Sequence, residues 1–415
     1  MRGSLPLATV AVGAGFWALS IVFHSRLPGP EHVLPSEGLP TSVTFSALSA
    51  LPQRLRRGRA GNSTDGGSRP SAEESPEAKD RRRWHAVAGS RAFAAPDCPP
   101  QPAPDYPVEF PILNVTSNWN PDTPDVPPRH FAGLCRFDFQ SQRDQAESYR
   151  QAEVPFIVQG VPSVDAAVDK WRDDKYLEKS LGSKAYLTEY SENNHFMYFQ
   201  SGGNKPPGWE PPVENQRMTF SKWNRIAQQA EAANLSDTEA HYYFRVNSYE
   251  APFLRRDLAA LTPHAEQGFF IVDSTQAKGI HCRFGMRGIV AAAHYDGSRN
   301  FVTILRGFRR YLLGAPRNCK HMHLYHHPHP SARHSEVDWS APDLAKFPDF
   351  AQARVNEVIL TPGDLLYIPS RWIHFIMSVN TNLQCNARSG KSTSGRAHSH
   401  AQVIDACMSD HGAKY

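Results

Sequence analysis

His294-Tyr295-Asp296 sets an imidazole and a carboxylate two residues apart, and His374 follows much later on a separate apolar segment. In an extended strand, residues two apart point to the same face, so His294 and Asp296 can address one point. With His374 closing the set, two histidines and a carboxylate make the facial triad of non-haem Fe(II) sites, which leaves metal positions open to cosubstrate and oxygen. A lone His-x-Asp is common on protein surfaces and carries little. The surrounding segments carry more.

Asn300 to Leu313 reads as two β-rich arms around Arg306-Gly307, a hairpin with glycine at its turn. Val355 to Pro369 reads as two apolar strands parted by the turn signal Pro362-Gly363-Asp364. Pro369 ends the second of these, and His374 opens another strand that runs on to Val379. Short strands between tight turns predict a mainly β fold with flanking helices, a double-stranded β-helix of the jelly-roll, cupin-like kind. Upstream, Val154 to Val158 reads as a strand and Ser163 as the cap of a helix running towards Trp171. Asp174 to Leu181 reads as a helix stopped by Gly182. Phe220 to Ala233 carries Trp223, Ile226, Ala227 and Ala230 at helical spacing, a core-facing stripe.

These residues resemble the Jumonji-C oxygenases, and within them the cupin-like branch that includes an asparaginyl hydroxylase inhibiting hypoxia-inducible factor. The resemblance runs from about Pro155 to Asn386. It rests on His294 to Phe301, on Ser335 to Asp343 with Lys346 to Asp349, and on Pro362 to Pro369 with Trp372 and His374. It implies an Fe(II)- and 2-oxoglutarate-dependent dioxygenase that hydroxylates a protein or peptide side chain. On that resemblance His294, Asp296 and His374 are the iron ligands and catalytic centre, and Asn300 and Asn386 line the cosubstrate pocket. Arg309 falls where the family usually has the lysine that binds the distal carboxylate of 2-oxoglutarate. Alternation alone leaves Arg309 and Arg310 open; the resemblance selects Arg309. Ala291 stands in place of a threonine that contacts the cosubstrate, and Tyr243 supplies the upstream tyrosine, with Tyr242 as its alternative. Tyr198, Arg333 and His334 fall near substrate contacts. Arg309 and Ala291 favour the competing reading, a Jumonji-like binding module with a weakened cosubstrate site.

The chain has 415 residues, 40% of them apolar and 11% aromatic, room for one large catalytic domain. Its formal net charge is +4, and much of that surplus precedes residue 108. The nearly neutral remainder gives no electrostatic case for nucleic-acid binding. Leu5 to Phe23 is an apolar run which, at about 1.5 Å per residue, nearly spans a bilayer core. The expected organisation is a signal anchor at 1–25, a disordered Pro/Ser/Arg-rich stem at 26–107 and an α/β extension at 108–250. The β-helix core at 251–390 and a polar tail at 391–415 follow. This describes a single-pass membrane protein of the secretory pathway with a lumenal catalytic domain, or a secreted or organelle-targeted one after signal cleavage. Acceptor sites at Asn62, Asn114 and Asn234 agree with that placement. The six cysteines lack zinc spacing, and Cys282 and Cys385, inside expected strands, read as buried thiols. His321, His323, His326, His327, His329 and His334 crowd a proline-containing segment that reads as a loop, not a second metal site.

Overall fold

The computed structural model describes residues 98–118, 131–391 and 395–410. Before the core come β1 (Phe110–Pro111), β2 (Arg136–Asp138), β3 (Phe156–Gln159), β4 (Ala185–Ser191), β5 (His195–Phe196), β6 (Glu214–Thr219) and β7 (His241–Asn247). Then follow β8 (Ala277–Gly285), β9 (Val290–Tyr295), β10 (Asn300–Arg306) and β11 (Arg309–Gly314). The last are β12 (Arg354–Leu360), β13 (Leu365–Ile368), β14 (Ile373–Ser378) and β15 (Asn382–Ser389). One sheet runs β1-β12-β11-β14-β9-β5 and the other β2-β3-β13-β10-β15-β8-β7-β4-β6. From β8 to β15 each strand crosses to the other sheet, except that β11 and β12 pair across the long insert between them. That alternation is the double-stranded β-helix.

It also corrects the expected hairpin at Gly307. β10 pairs with β13 and β15, whereas β11 pairs with β12 and β14, so the two arms do not pair with each other. Gly307 is a corner between sheets, with φ +69°, and a Cβ there would stand 2.3 Å from the Thr381 carbonyl oxygen. Glycine permits that backbone whether the chain folds back in plane or crosses over, which is why the sequence signal reads as either. Pro362-Gly363-Asp364 turns a similar corner between β12 and β13. There the Asp364 carboxylate accepts from the Thr361 amide at 2.8 Å and from Arg136 at 3.1 Å.

The helices Asp174–Leu181, ended by Gly182 at φ +61°, and Phe220–Ala233, ended by left-handed Asn234, form as expected. Trp223, Ala227 and Ala230 face the core. The helix towards Trp171 starts at Pro162 with Val161, not Ser163, at its cap. Proline tolerates that first-turn position because its amide would lack a partner there anyway.

Three boundaries shift. The division expected at residue 250 falls between β7 and β8, which are hydrogen-bonded neighbours, so the N-terminal extension widens the same sheet as the core. The end of the expected stem belongs to the fold: Tyr106 is buried, donates to the Pro155 carbonyl at 2.7 Å and accepts from the Cys135 amide at 2.9 Å. The expected polar tail contains a helix, Gly395–Asp410, with Ile404 fully buried and Cys407 bridged to Cys319. Disulfides also join Cys98 to Cys135 and Cys282 to Cys385. Cys282 and Cys385 are buried as expected, but they are not thiols. They face each other in register on β8 and β15, a pairing that strand prediction alone does not supply.

Among the described residues no helix is long and apolar enough to cross a membrane. The expected span at Leu5–Phe23 and stem residues 26–97 lie outside the described residues.

Candidate metal centre

Two neighbouring strands of the smaller sheet, β9 and β14, carry His294 and His374 directly opposite each other. Asp296 lies just past the end of β9. The ligand atoms of these three residues all fall within 4.8 Å of one another. Each histidine is held alike: His294 Nδ1 lies 2.8 Å from the Ala292 carbonyl, and His374 Nδ1 lies 2.9 Å from the Trp372 carbonyl. A carbonyl can only accept, so Nδ1 carries the proton and Nε2 keeps a lone pair for a metal. Burial, with His374 and His334 nearby, holds His294 well below its ordinary pKa, and burial lowers His374 likewise. Both imidazoles are therefore neutral ligands at neutral pH.

Burial alone would raise the Asp296 carboxyl, but Arg388, both histidines and Arg333 outweigh it and hold the group ionised far below the usual range. Arg388 Nη2 forms an ion pair with Asp296 Oδ2 at 2.7 Å, and this buried oxygen makes no hydrogen bond among the described residues. A buried, ionised carboxylate beside two pinned imidazoles fits a divalent cation bound by nitrogen and oxygen.

Below the triad lies a cavity of about 480 Å³ walled by both sheets. Asn300 and Asn386 line it, joined by an Asn386 Nδ2 to Asn300 Oδ1 bond of 2.9 Å. Ala291, Tyr243, Tyr198, Arg333 and His334 also line it, as the resemblance implies. Tyr242, on the opposite face of β7, instead packs its ring at a tilt against Tyr190 with ring centres 5.3 Å apart. His334 stacks on His294 at 4.9 Å and donates from Nδ1 to the Ser331 carbonyl at 3.1 Å, but it stands outside the ligand cluster. Among the described residues the histidine-rich loop forms no further metal cluster; His323 Nε2 instead meets Asp349 at 2.8 Å and His329 stacks on Tyr325.

Arg309 requires correction. Of the adjacent pair it is the one that points between the sheets, while Arg310 points outward to Glu357 and the Val115 carbonyl. Yet Arg309 does not line the cavity. It is fully buried behind Tyr243 and Gln384, giving Nη1 to both at 2.8 Å and Nε to Asn382. Tyr311, on the same strand face, donates to the same Gln384 oxygen and forms the cavity floor. The register explains the depth. Leu313 is opposite His374 and Arg309 is opposite Ser378, so the Arg309 backbone lies roughly 13 Å along the strand from the triad.

The residue types missed from the sequence lie mainly on two strands. β15 turns Asn382, Gln384, Asn386 and Arg388 inward, and β8 turns His281, Arg283 and Gly285 inward, alternating with buried apolar neighbours. A polar stripe of period two on an otherwise apolar strand was the available signal.

A double-stranded β-helix with a buried two-histidine, one-carboxylate centre at one end defines a cupin-type metal-binding scaffold. The chain belongs to the cupin-like domain family, which matches residues 142–387, and within it to the Jumonji-C group. Members of that group are commonly Fe(II)- and 2-oxoglutarate-dependent oxygenases. It is 30% identical over 278 residues to Jumonji C domain-containing protein 5 of Drosophila melanogaster, covering 66% of this chain and 60% of the relative. It is 30% identical over 156 residues to tRNA wybutosine-synthesizing protein 5 of Danio rerio, 37% of this chain and 46% of the relative. Lysine-specific demethylase 8 of Danio rerio matches at 35% over 103 residues, 24% of each chain. The matches thus span less than two thirds of each of these relatives. The expected lumenal, membrane-anchored placement is corrected here: the described domain contains no membrane-crossing helix, and these relatives carry names of transfer-RNA and lysine chemistry.

Proposed function

We propose that the domain is an Fe(II)- and 2-oxoglutarate-dependent dioxygenase that hydroxylates a protein or peptide side chain. The observation that carries this reading is the pair of identically pinned imidazoles that converge with the buried Asp296 carboxylate beside one cavity. Held there, Fe(II) with 2-oxoglutarate supplies the oxidising power to functionalise an unactivated C–H bond. The chain's own residues bind, orient and exclude water.

His294, Asp296 and His374 hold the metal on one face and leave the cavity side open. Asn300 and Asn386 restrain each other and turn their remaining amide atoms towards the cosubstrate. Its distal carboxylate needs a cation, and Arg283 meets that need better than Arg309. Arg283 reaches the cavity level with Gln384 and makes no hydrogen bond or ion pair among the described residues. Tyr311 stays protonated, because burial pushes its hydroxyl pKa up, and its one O–H holds the Gln384 oxygen at the cavity floor. Arg309 acts behind them, fixing Tyr243 and Gln384 and adding positive potential at the floor. Tyr198, Arg333 and His334 border the entrance on the substrate side.

The second reading, a binding module without turnover, draws on one observation: Arg309 directs its bonded donors into the wall and not into the cavity. Succinate release by the Fe(II)-loaded chain with 2-oxoglutarate and a peptide pool separates the two. Peptide-stimulated succinate with a one-oxygen mass gain on a peptide is expected. Absence of succinate, with intact metal binding, leaves the binding module.

A further inference from the structure

The cavity is unbalanced in charge. Its lining holds six Lys or Arg side chains against two carboxylates, a surplus of four. Both carboxylates are already engaged, Glu189 by Arg245 and Asp296 by Arg388. Arg283, Arg333, Lys278 and Lys391 remain on the lining, without a side-chain hydrogen bond or ion pair among the described residues. The proposed metal and cosubstrate do not remove the surplus, since the charges of Fe(II) and 2-oxoglutarate cancel. The histidines of the lining do not add to it, for burial lowers their pKa values and keeps them neutral.

Formal net charge over the whole chain is also +4, so this surplus is local to one concave surface and not a sample of a generally basic protein. A concave, low-dielectric wall focuses such a field and draws in counter-charge. Arg283 shows what the crowding costs: burial and the neighbouring Arg245 push its pKa down to about 10. The other cations stand nearer the rim, where Lys278 and Lys391 are exposed. Arg333 sits there at φ +76°, a backbone region that non-glycine residues rarely adopt. Its amide donates to the Tyr325 carbonyl at 3.0 Å, and its carbonyl accepts from the Tyr295 amide at 3.3 Å, bonds that hold the strained residue in place.

We propose that the second molecule to enter this cavity is an acidic peptide, whose carboxylates flanking the target residue are taken by Arg333, Lys278 and Lys391. This rests on the oxygenase reading for the chemistry, but not for the binding. An extended chain fits the placement of the cations from rim to depth, and exposed Tyr198 offers it an apolar face at the same rim. A nucleic-acid backbone fits less well, because it needs a basic stripe along an outer surface and these cations line a cavity. A lysine-rich peptide would meet like charge throughout.

The test is fluorescence anisotropy on the full chain with Mn(II) and 2-oxoglutarate, using a short fluorescein-labelled peptide of alternating glutamate and serine. Its lysine-serine counterpart and a single-stranded oligodeoxynucleotide of equal charge are the other probes, with unlabelled citrate as competitor. The acidic peptide is expected to bind and to weaken with salt. Arg333→Gln should weaken it about tenfold, the scale of one lost charge-assisted contact, and Lys278→Gln with Lys391→Gln should weaken it further. Arg333→Lys keeps the charge and should retain most of the affinity, which a merely unfolded variant would not. Equal binding of the lysine peptide, tighter binding of the oligonucleotide, or indifference to Arg333→Gln would overturn the proposal. So would citrate displacing the peptide at equal concentration, which would assign the site to a small polycarboxylate. Calorimetric binding of 2-oxoglutarate in the same samples separates the two ideas. Peptide binding without 2-oxoglutarate binding keeps this inference and removes the oxygenase reading; 2-oxoglutarate binding without peptide binding does the reverse.

Discussion

Arg309 and Arg310 in the wall are both buried and bonded to neighbouring side chains, whereas Arg333, Lys278 and Lys391 at the rim make no side-chain hydrogen bond or ion pair among the described residues. In the wall, a cation is part of the structure: Arg310 balances Glu357 on one face, and Arg309 ties three neutral side chains together on the other. At the rim, the same kinds of side chain make no such bonds among the described residues, and of the three only the Arg333 backbone is pinned. A satisfied guanidinium stabilises the fold, and an unsatisfied one beside a cavity is available to a ligand.

Arg310→Ala should have the largest effect, because it leaves the buried Glu357 carboxylate without its cation, with only the Phe131 amide at 3.0 Å beside it. A loss of about 3–5 kcal/mol in urea unfolding is expected, with metal binding unchanged in the protein that remains folded. A loss below about 1 kcal/mol would mean the pair is not structural.

Arg309→Met comes next. It removes a buried cation whose hydrogen-bond partners are neutral, so stability should drop by about 1–3 kcal/mol as Tyr243, Asn382 and Gln384 lose a donor. Its 2-oxoglutarate affinity should fall as the floor loosens. If affinity vanishes while stability is unchanged, Arg309 is a direct ligand and the wall-versus-cavity distinction breaks.

Arg283→Gln sharpens the contrast from the cavity side. Stability should hold or rise, since a desolvated and crowded charge is removed, while calorimetric 2-oxoglutarate affinity falls about tenfold. An unchanged affinity would return the distal carboxylate to another cation.

His334 should give the smallest effect, and it is one of pH. Burial, with Arg333 beside it, holds His334 at about 4 against an ordinary 6.5, although the Ser331 carbonyl acts the other way. In the window between those values the unfolded chain takes up a proton that the folded chain refuses. Stability is therefore full above about 6.5 and declines as pH falls towards 4. Urea unfolding of the metal-free chain across that range should show a shallower decline in His334→Asn than in the wild type.

The triad was legible because its chemistry follows from strand geometry: His294 and Asp296 need only period two, and His374 needs only a nearby strand. The neighbouring arginines were not separable in the same way. Alternation puts Arg309 and Arg310 on opposite faces, but says neither which face is inward nor how deep a long side chain ends. At Gly307 the turn was legible and its partner sheet was not, since glycine serves a hairpin and a corner equally. Cys282 and Cys385 show the same limit, because burial is local whereas their pairing depends on the register of β8 and β15. The inward stripe on β15 is legible in part: the resemblance points to Asn386, whereas Gln384 and Arg388 on the same face stand out only once the strand's inward side is known. The helix Gly395–Asp410 depends on tertiary contacts, through Ile404 and the Cys319–Cys407 bridge, that a polar segment does not announce.

A metal held by His294, Asp296 and His374 should complete the 2-oxoglutarate site. Anaerobic calorimetry can show this, with Fe(II) titrated into the apo chain and 2-oxoglutarate then titrated into apo and loaded samples. One Fe(II) per wild-type chain is expected, none in Asp296→Ala with His374→Ala, and 2-oxoglutarate binding only with the metal in place. Stoichiometric Fe(II) in the double variant, or 2-oxoglutarate binding equally well without metal, would mean that these three residues do not form the site.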